Sequence, residues 1–360
     1  MAQQNGMTNL KSILIEQINS NGPMPLSDYI QQCLFHPIYG YYVKEPVFGT
    51  DGDFTTAPEI SQMFGELLAI SILQSWIDQG SPSKIILAEL GPGRGTMMAD
   101  ILRTLKIHPD FLNATEIHLI EASSNLRSEQ KKTLSEFNIF WHNELPSFKE
   151  KPLFLIANEF FDTLPIDQFL RQGNNFFKRT VQFLGNKLTY GLEKKPTIDK
   201  ALENRFMDTS NGDIVELNIA AAAISKNIGN HISNFGGLAI FIDYGDWRSL
   251  GDTLQAVKNH KYCDIFVSPG EADITAHVDF EVLAINSGCA FSKLTTQGVL
   301  LERLGITKRA QNLAKDLNDE SLKNHILAHR RLVHPDEMGT LFKALSLFPK
   351  QASCPPGFEQ

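Results

Sequence analysis

Cysteine is scarce in this chain: Cys33, Cys263, Cys289 and Cys354 are the only four in 360 residues, and none forms a Cys-x-x-Cys pair. That excludes a disulfide scaffold and a cysteine-based zinc module, and it suits a reducing compartment. No apolar run approaches the ~20 residues that a membrane-spanning helix needs. Positive charge is in deficit, with 33 Lys and Arg against 41 Asp and Glu and a formal net charge of -8, so a nucleic-acid backbone is not the expected main partner. Residues 1–6 contain no arginine and no apolar signal core, so a short loose tail is expected there. No internal repeat and no low-complexity segment is found.

What is present is an ordinary globular composition, 42% hydrophobic and 21% charged, long enough for one large domain with insertions or for two. From residue 84 onward, short apolar runs recur at 85–90, 117–120, 139–141, 153–157 and 238–242, separated by helical stretches. Continuous rather than alternating hydrophobicity implies strands buried on both faces, hence an α/β fold with a parallel sheet covered by helices. Upstream, Leu10, Ile13, Leu14 and Ile18 form one helix face, and Ser27 or Asp28 is placed to cap a second helix through Leu34. Residues 37–42, Pro-Ile-Tyr-Gly-Tyr-Tyr, read equally as a loop packed by its own rings or as the lining of a substrate groove. A long helix is expected from Ser61 to Gln79, with Thr56 as N-cap and Pro58 in the first turn.

Between 166 and 196 the texture changes. Runs around Phe169, Phe176 and Leu188 are separated by Gly173-Asn174-Asn175 and Gly185-Asn186, which reads as inserted antiparallel hairpins. Residues 214–224 read as a helix, 291–296 as a strand, 299–334 as charged helical material and 341–348 as the last strand. The expected organisation is an N-terminal helical region, 1–80, closing over the site, then a core, 81–350, with insertions at 166–196 and 299–334, then a tail, 351–360.

The chemistry centres on Ala88-Glu89-Leu90-Gly91-Pro92-Gly93-Arg94-Gly95-Thr96, placed between a strand and a helix. Glycines at alternate positions let a ligand lie against bare backbone. A dinucleotide fingerprint would place glycine or alanine where Thr96 stands, and a phosphate loop would need Gly-Lys-Ser/Thr; neither is met. Acids or amides end four of the five central strands: Glu89, Glu121, Asn158-Glu159 and Asp243. In open parallel sheets, ligands bind at those carboxyl ends. S-adenosylmethionine carries a sulfonium, an amino group and a ribose diol but no phosphate, and so suits Glu89 beside the turn and Glu121 at the second strand. The polar loop with Gly52, Asp53, Thr56 and Glu59 precedes a helix N-terminus; it reads either as simple capping or as a hold on the polar end of a ligand.

These motifs resemble the MidA-like class I methyltransferases. The resemblance is carried by Gly52-Asp53-Phe54-x-Thr56-Ala57-Pro58-Glu59-Ile60-Ser61-Gln62, by Glu89 to Thr96, by Asn158-Glu159-Phe160-Phe161-Asp162-x-Leu164-Pro165, by Asp243-Tyr244-Gly245, by the run from Pro269-Gly270-Glu271 to Val278-Asp279-Phe280, and by Met338-Gly339-x-Leu341-Phe342-Lys343. Thr163 stands where the family pattern would have alanine. The resemblance implies a Rossmann-like class I methyltransferase fold, seven-stranded with the last strand antiparallel. It implies S-adenosyl-L-methionine as donor, and the mitochondrial complex I assembly factor among its members implies a protein arginine on an NADH dehydrogenase subunit as substrate. Without an arginine-rich presequence the expected place is a bacterial cytoplasm, or the mitochondrial matrix if the chain is eukaryotic. The substrate is a protein; neither nucleic acid nor membrane insertion is expected.

An arginine nucleophile has a pKa above about 12, so a carboxylate must orient it and draw off its proton. Glu159, with Asp162, is the candidate for that task, and Asn158 for touching donor or substrate. The competing reading is that these acids cap the following turn. No metal site is expected: His277 and Asp279 have no third ligand at suitable spacing and read as packing. The hairpin bearing Lys178 and Arg179 reads first as a core with a solvated edge and second as a docking surface for a protein. Two alternatives to a methyltransferase are kept: a non-catalytic assembly chaperone on the same fold, and an NAD(P)-dependent oxidoreductase, which Thr96 disfavours.

Overall fold

The computed structural model describes residues 9–43 and 56–360. Its central sheet runs through seven strands: β1 (Ile85–Leu90), β2 (Thr115–Ile120), β3 (Ile139–His142), β4 (Leu153–Asn158), β5 (Gly237–Asp246), β6 (Ala290–Phe291) and β7 (Phe342–Phe348), in the order β6-β7-β5-β4-β1-β2-β3. β1 to β5 pair in parallel, and β7 runs antiparallel to β5. Two-residue bridges, Val278–Asp279 on β5 and Thr295–Thr296 on β7, bring the sheet to nine strands. The seven-stranded sheet with an antiparallel last strand is therefore present. The expected 291–296 strand is instead two short bridges on β7, separated by residues without strand pairing.

β1 and β4 are buried at every position because both faces of the sheet are covered. Ile85, Leu87, Phe154 and Ile156 pack on one face with α4 (Met63–Asp78) and α5 (Thr96–Leu105). Ile86, Ala88, Leu155 and Ala157 pack on the other with the Ile219–Phe235 and Phe280–Asn286 helices. Alternate residues of one strand thus feed two separate cores, as period-2 geometry requires.

A further core gathers α1 (Leu10–Asn21), α2 (Leu26–Phe35), the hairpin residues Val181 and Leu188, and Ala256 and Ile274. The hairpin strands Asp167–Gln172, Asn175–Leu184 and Lys187–Leu192 form a five-stranded sheet with Met24–Pro25 and Ile214–Leu217. The first 80 residues are accordingly split: α1 and α2 join this lobe, while α4 is part of the main core. Residues 214–217, expected as the start of a helix, are a strand, because they pair with 167–170 before the helix begins at Ile219. α2 begins at Leu26 behind Pro25, not behind a Ser27 or Asp28 cap. The expected tail folds back: Ser71 Oγ donates to the Pro356 carbonyl, Arg303 pairs with Glu359, and Phe358 is buried.

Candidate active site

β1 lies between β4 and β2, so the chain reverses its direction of winding there and a crevice opens at the carboxyl ends of those strands. The crevice is a cavity of about 870 Å³. Gly91, Gly93, Glu121, Glu159 and Asp162 line it, together with Thr56. α2 adds Gln31 and Phe35, and Tyr42 follows. Gly52 and Asp53 lie outside the described residues.

The turn after β1 needs its glycines. Gly91, Gly93 and Gly95 have φ of 60°, 53° and 82°, a region that side chains rarely enter. A Cβ on Gly91 would press on the Phe160 ring at 3.0 Å, whereas one on Gly93 would meet nothing within 4 Å and would project into open space. Buried Gln130 fixes the turn from behind: its Nε2 donates to the Gly93 carbonyl at 2.7 Å, and Trp141 Nε1 donates to its Oε1 at 2.9 Å. Nothing in the sequence singled out Gln130, which sits in the polar helix α7, Ser124–Thr133, once α6, Pro109–Ala114, has led into β2.

Glu89 is buried, with Oε2 lacking any partner. Burial first, then the nearby charge of Glu121, pushes its carboxyl up to about 8. Glu121 is raised to about 7 by burial, against the Ser123 N–H that donates to Oε1 at 2.7 Å. Glu89, Gly95, Thr96 and Glu59, expected as donor contacts, do not line the cavity, and neither does Asn158. Gly95 is the left-handed N-cap of α5. Thr96 Oγ1 donates to Glu59 Oε1 at 2.6 Å, and Arg94 pairs with Glu59 at 3.6 Å, so these side chains fasten α3 (Ala57–Ile60) to the turn. Thr56 holds the N-cap position of α3, but its side chain makes no capping bond.

Glu159 does part of that capping. It accepts from the Ala57 N–H at 3.3 Å and from Asn158 Nδ2 at 3.1 Å, both at Oε1. Its φ of 52° places a non-glycine residue in the left-handed region, a strain of order 1–3 kcal/mol that clusters at functional sites. Burial pushes its carboxyl up to about 7. Asp162 is raised by burial and by the charge of Glu159, and its Oδ1 is buried without a partner. Asp243, the acid ending the parallel run of β5, does not face the ligand space. Its Oδ2 accepts from the N–H groups of Phe160, Phe161 and Asp162 at 3.2, 3.0 and 3.3 Å, which anchors the whole loop after β4. His277 packs edge-on against Tyr244, and Asp279 caps the Phe280–Asn286 helix through Val282 N–H. No group of three or more metal-ligating side chains occurs among the described residues. Lys178 and Arg179 are committed to Asp167 and Asp252, which favours the hairpin-core reading over a docking surface.

Residues 67–300 match the model of a family described as S-adenosyl-L-methionine-dependent methyltransferase. This chain belongs to that methyltransferase family. It is 32% identical over 366 residues to the mitochondrial protein arginine methyltransferase NDUFAF7 of Xenopus laevis, covering 93% of this chain and 83% of that one. Against the human protein of the same name it is 31% identical over 378 residues, covering 97% and 85%. A candidate methyl transferase from Burkholderia thailandensis, solved bound to S-adenosyl-homocysteine, superposes with a TM-score of 0.82 at 26% identity, over 97% of this chain and 93% of that one.

The residues fit S-adenosylmethionine: Glu89 Oε2 is a buried acceptor in want of a donor, and Gly93 leaves a cradle that a Cβ would fill. Glu121, on the cavity wall, would hold the ribose diol, and Glu89, buried in β1 just before the glycine turn, would favour the cationic end through its charge. Both carboxyls are raised in the free protein, so a cationic donor must draw them into the ionised form and release protons. Donor affinity should therefore rise by about a hundredfold from about pH 6.5 to 8.5 and level off by about pH 9, with S-adenosyl-homocysteine, lacking the sulfonium charge, showing a shallower rise. Calorimetry in buffers of differing ionisation enthalpy reads the released protons directly; equal affinity at both pH values would disprove the role of these acids.

Proposed function

We propose that this methyltransferase acts on an arginine of a protein partner, with a subunit of respiratory NADH dehydrogenase as the partner that the family implies. The reading is supported by the name of the relatives at 31–32% identity and carried by one observation: two acids, Glu159 and Asp162, share the cavity wall with the glycine turn. A bound donor supplies an electrophilic methyl group. The chain's task is then to hold a guanidinium nitrogen in line with it and to accept a proton. Glu159 takes that proton at a carboxylate oxygen, and Asp162, whose Oδ1 lacks a partner, holds the rest of the guanidinium. Asn158 orients Glu159 through its Nδ2. Asp243 keeps both acids in place by binding the loop backbone.

α2 brings Gln31 and Phe35 to the cavity, and Tyr42 in the following turn joins them on that side. No helix among the described residues is long and apolar enough to cross a membrane. We place the chain in a bacterial cytoplasm, or in the mitochondrial matrix if it is eukaryotic. Mass spectrometry of lysates with and without the chain should show one methylated arginine lost in its absence and restored by the wild-type chain. An unchanged methyl-arginine profile, with the donor bound normally, would refute the arginine reading and favour a scaffold role.

A further inference from the structure

α7 is polar along its length, its first turn lines the cavity, and the residue that it buries is Gln130, 0% exposed. A buried amide is tolerated when its hydrogen-bonding groups are met. Here the partners also fix which way it points. Trp141 Nε1 can only donate and the Gly93 carbonyl can only accept, so Oε1 faces the indole and Nε2 faces the glycine turn. An amide nitrogen has two hydrogens to give, and a longer contact of 3.5 Å takes the same Nε2 to Glu121 Oε2. Glu121 is thus held at both oxygens, since its Oε1 accepts from the Ser123 N–H. Gly93 and Glu121 line the cavity, and Gln130 stands behind them.

Other residues of α7 serve the same wall. Three residues before Gln130, Arg127 Nε donates to the Glu121 carbonyl at 2.7 Å, and its Nη2 donates to Asn143 Oδ1 at 2.7 Å. Residues three apart share a helix face, so this face of α7 carries hydrogen bonds where α5 carries apolar contacts. The turn follows β1 and Glu121 follows β2, and one amide nitrogen touches both. Glycine at φ 53° leaves the adjoining peptide plane free to rotate, and the bond to its carbonyl removes that freedom.

We infer that Gln130, oriented by the Trp141 indole, is a positioning residue for donor binding: it sets the Gly93 carbonyl and the Glu121 carboxylate in one register, so that the donor meets both without rearrangement. This rests on the reading of the donor site and is independent of which acceptor is methylated. A packing role for Gln130 predicts lost stability alone. A positioning role predicts lost affinity and an altered proton balance as well. Burial raises the Glu121 carboxyl, and the Ser123 N–H, the Gln130 amide and the charge of Arg127 oppose that rise. Glu89 on β1 faces the same group, and neither it nor Arg127 changes when Gln130 is replaced.

The test uses the full chain, S-adenosylmethionine, and calorimetry in buffers of differing ionisation enthalpy. Gln130→Met keeps the length of the side chain and removes the amide. It should bind S-adenosylmethionine about tenfold or more weakly at pH 8. It should also release a larger fraction of a proton on binding at pH 7, because free Glu121 is then more fully protonated. Trp141→Phe keeps a ring and removes the indole N–H, so the amide can turn over; it should weaken the donor about threefold. Urea melts of both variants report folding. A Gln130→Met chain that melts earlier but keeps wild-type donor affinity and proton release would reduce Gln130 to a packing residue. Should that variant not fold, wild-type affinity in Trp141→Phe overturns the proposal by itself.

Discussion

Glu159→Gln should lower methyl transfer by about 10²–10⁴-fold, the range that general bases contribute, while S-adenosyl-homocysteine binds within a factor of about two. The substitution separates two roles that Glu159 holds at once. As a structural group, its Oε1 accepts from Ala57 N–H and Asn158 Nδ2. A glutamine keeps an oxygen there, so α3 and the loop stay docked. As a proton acceptor, it must be ionised, and a glutamine never is. The same argument fixes the pH dependence. Burial holds the carboxyl at about 7, so the fraction able to accept a proton grows as pH rises through that value, and kcat should grow with it until the base is fully ionised. Initial rates in wild type and variant, beside calorimetry of donor binding, decide the matter. Activity within about threefold of wild type in Glu159→Gln would reduce the residue to a helix cap.

How far the sequence foretold this site differs from group to group, for physical reasons. Runs such as 85–90 and 153–157 were legible because burial on both faces demands unbroken apolar sequence, and their strands end within a residue of expectation. Residues 214–217 were not, since Ile-Val-Glu-Leu suits helix or strand and only pairing with 167–170 decides it. Strand-end acids were visible as a set, but not their separate tasks. Glu121 and Glu159 face the cavity, whereas Asp243 turns its carboxylate to three backbone N–H groups of a loop some 80 residues away. Glu59 and Thr96 looked like ligand contacts because each adjoins a helix start, yet they satisfy each other. Gln130 carries no local signature at all. Its meaning comes from a contact 37 residues distant, which no periodicity encodes.

Gly93→Val should abolish donor binding, by 10²-fold or more in affinity, and leave the chain folded. Two costs are involved, and they act on different quantities. At φ 53° a β-branched residue is strained by about 1–3 kcal/mol, which falls on stability. A typical domain has about 5–15 kcal/mol to lose, so the fold survives. A Cβ there meets no protein atom within 4 Å, and Gly93 lines the cavity, so the added volume falls where the donor must lie. Gly173→Val isolates the first cost. Gly173 has φ 60°, also faces nothing within 4 Å, and sits in the turn between Asp167–Gln172 and Asn175–Leu184, outside the cavity lining. Both variants should therefore lose similar stability in urea melts, while only Gly93→Val loses S-adenosyl-homocysteine in calorimetry. If Gly93→Val keeps wild-type affinity, the donor does not lie against this turn, and the strand-end acids around it must serve another ligand.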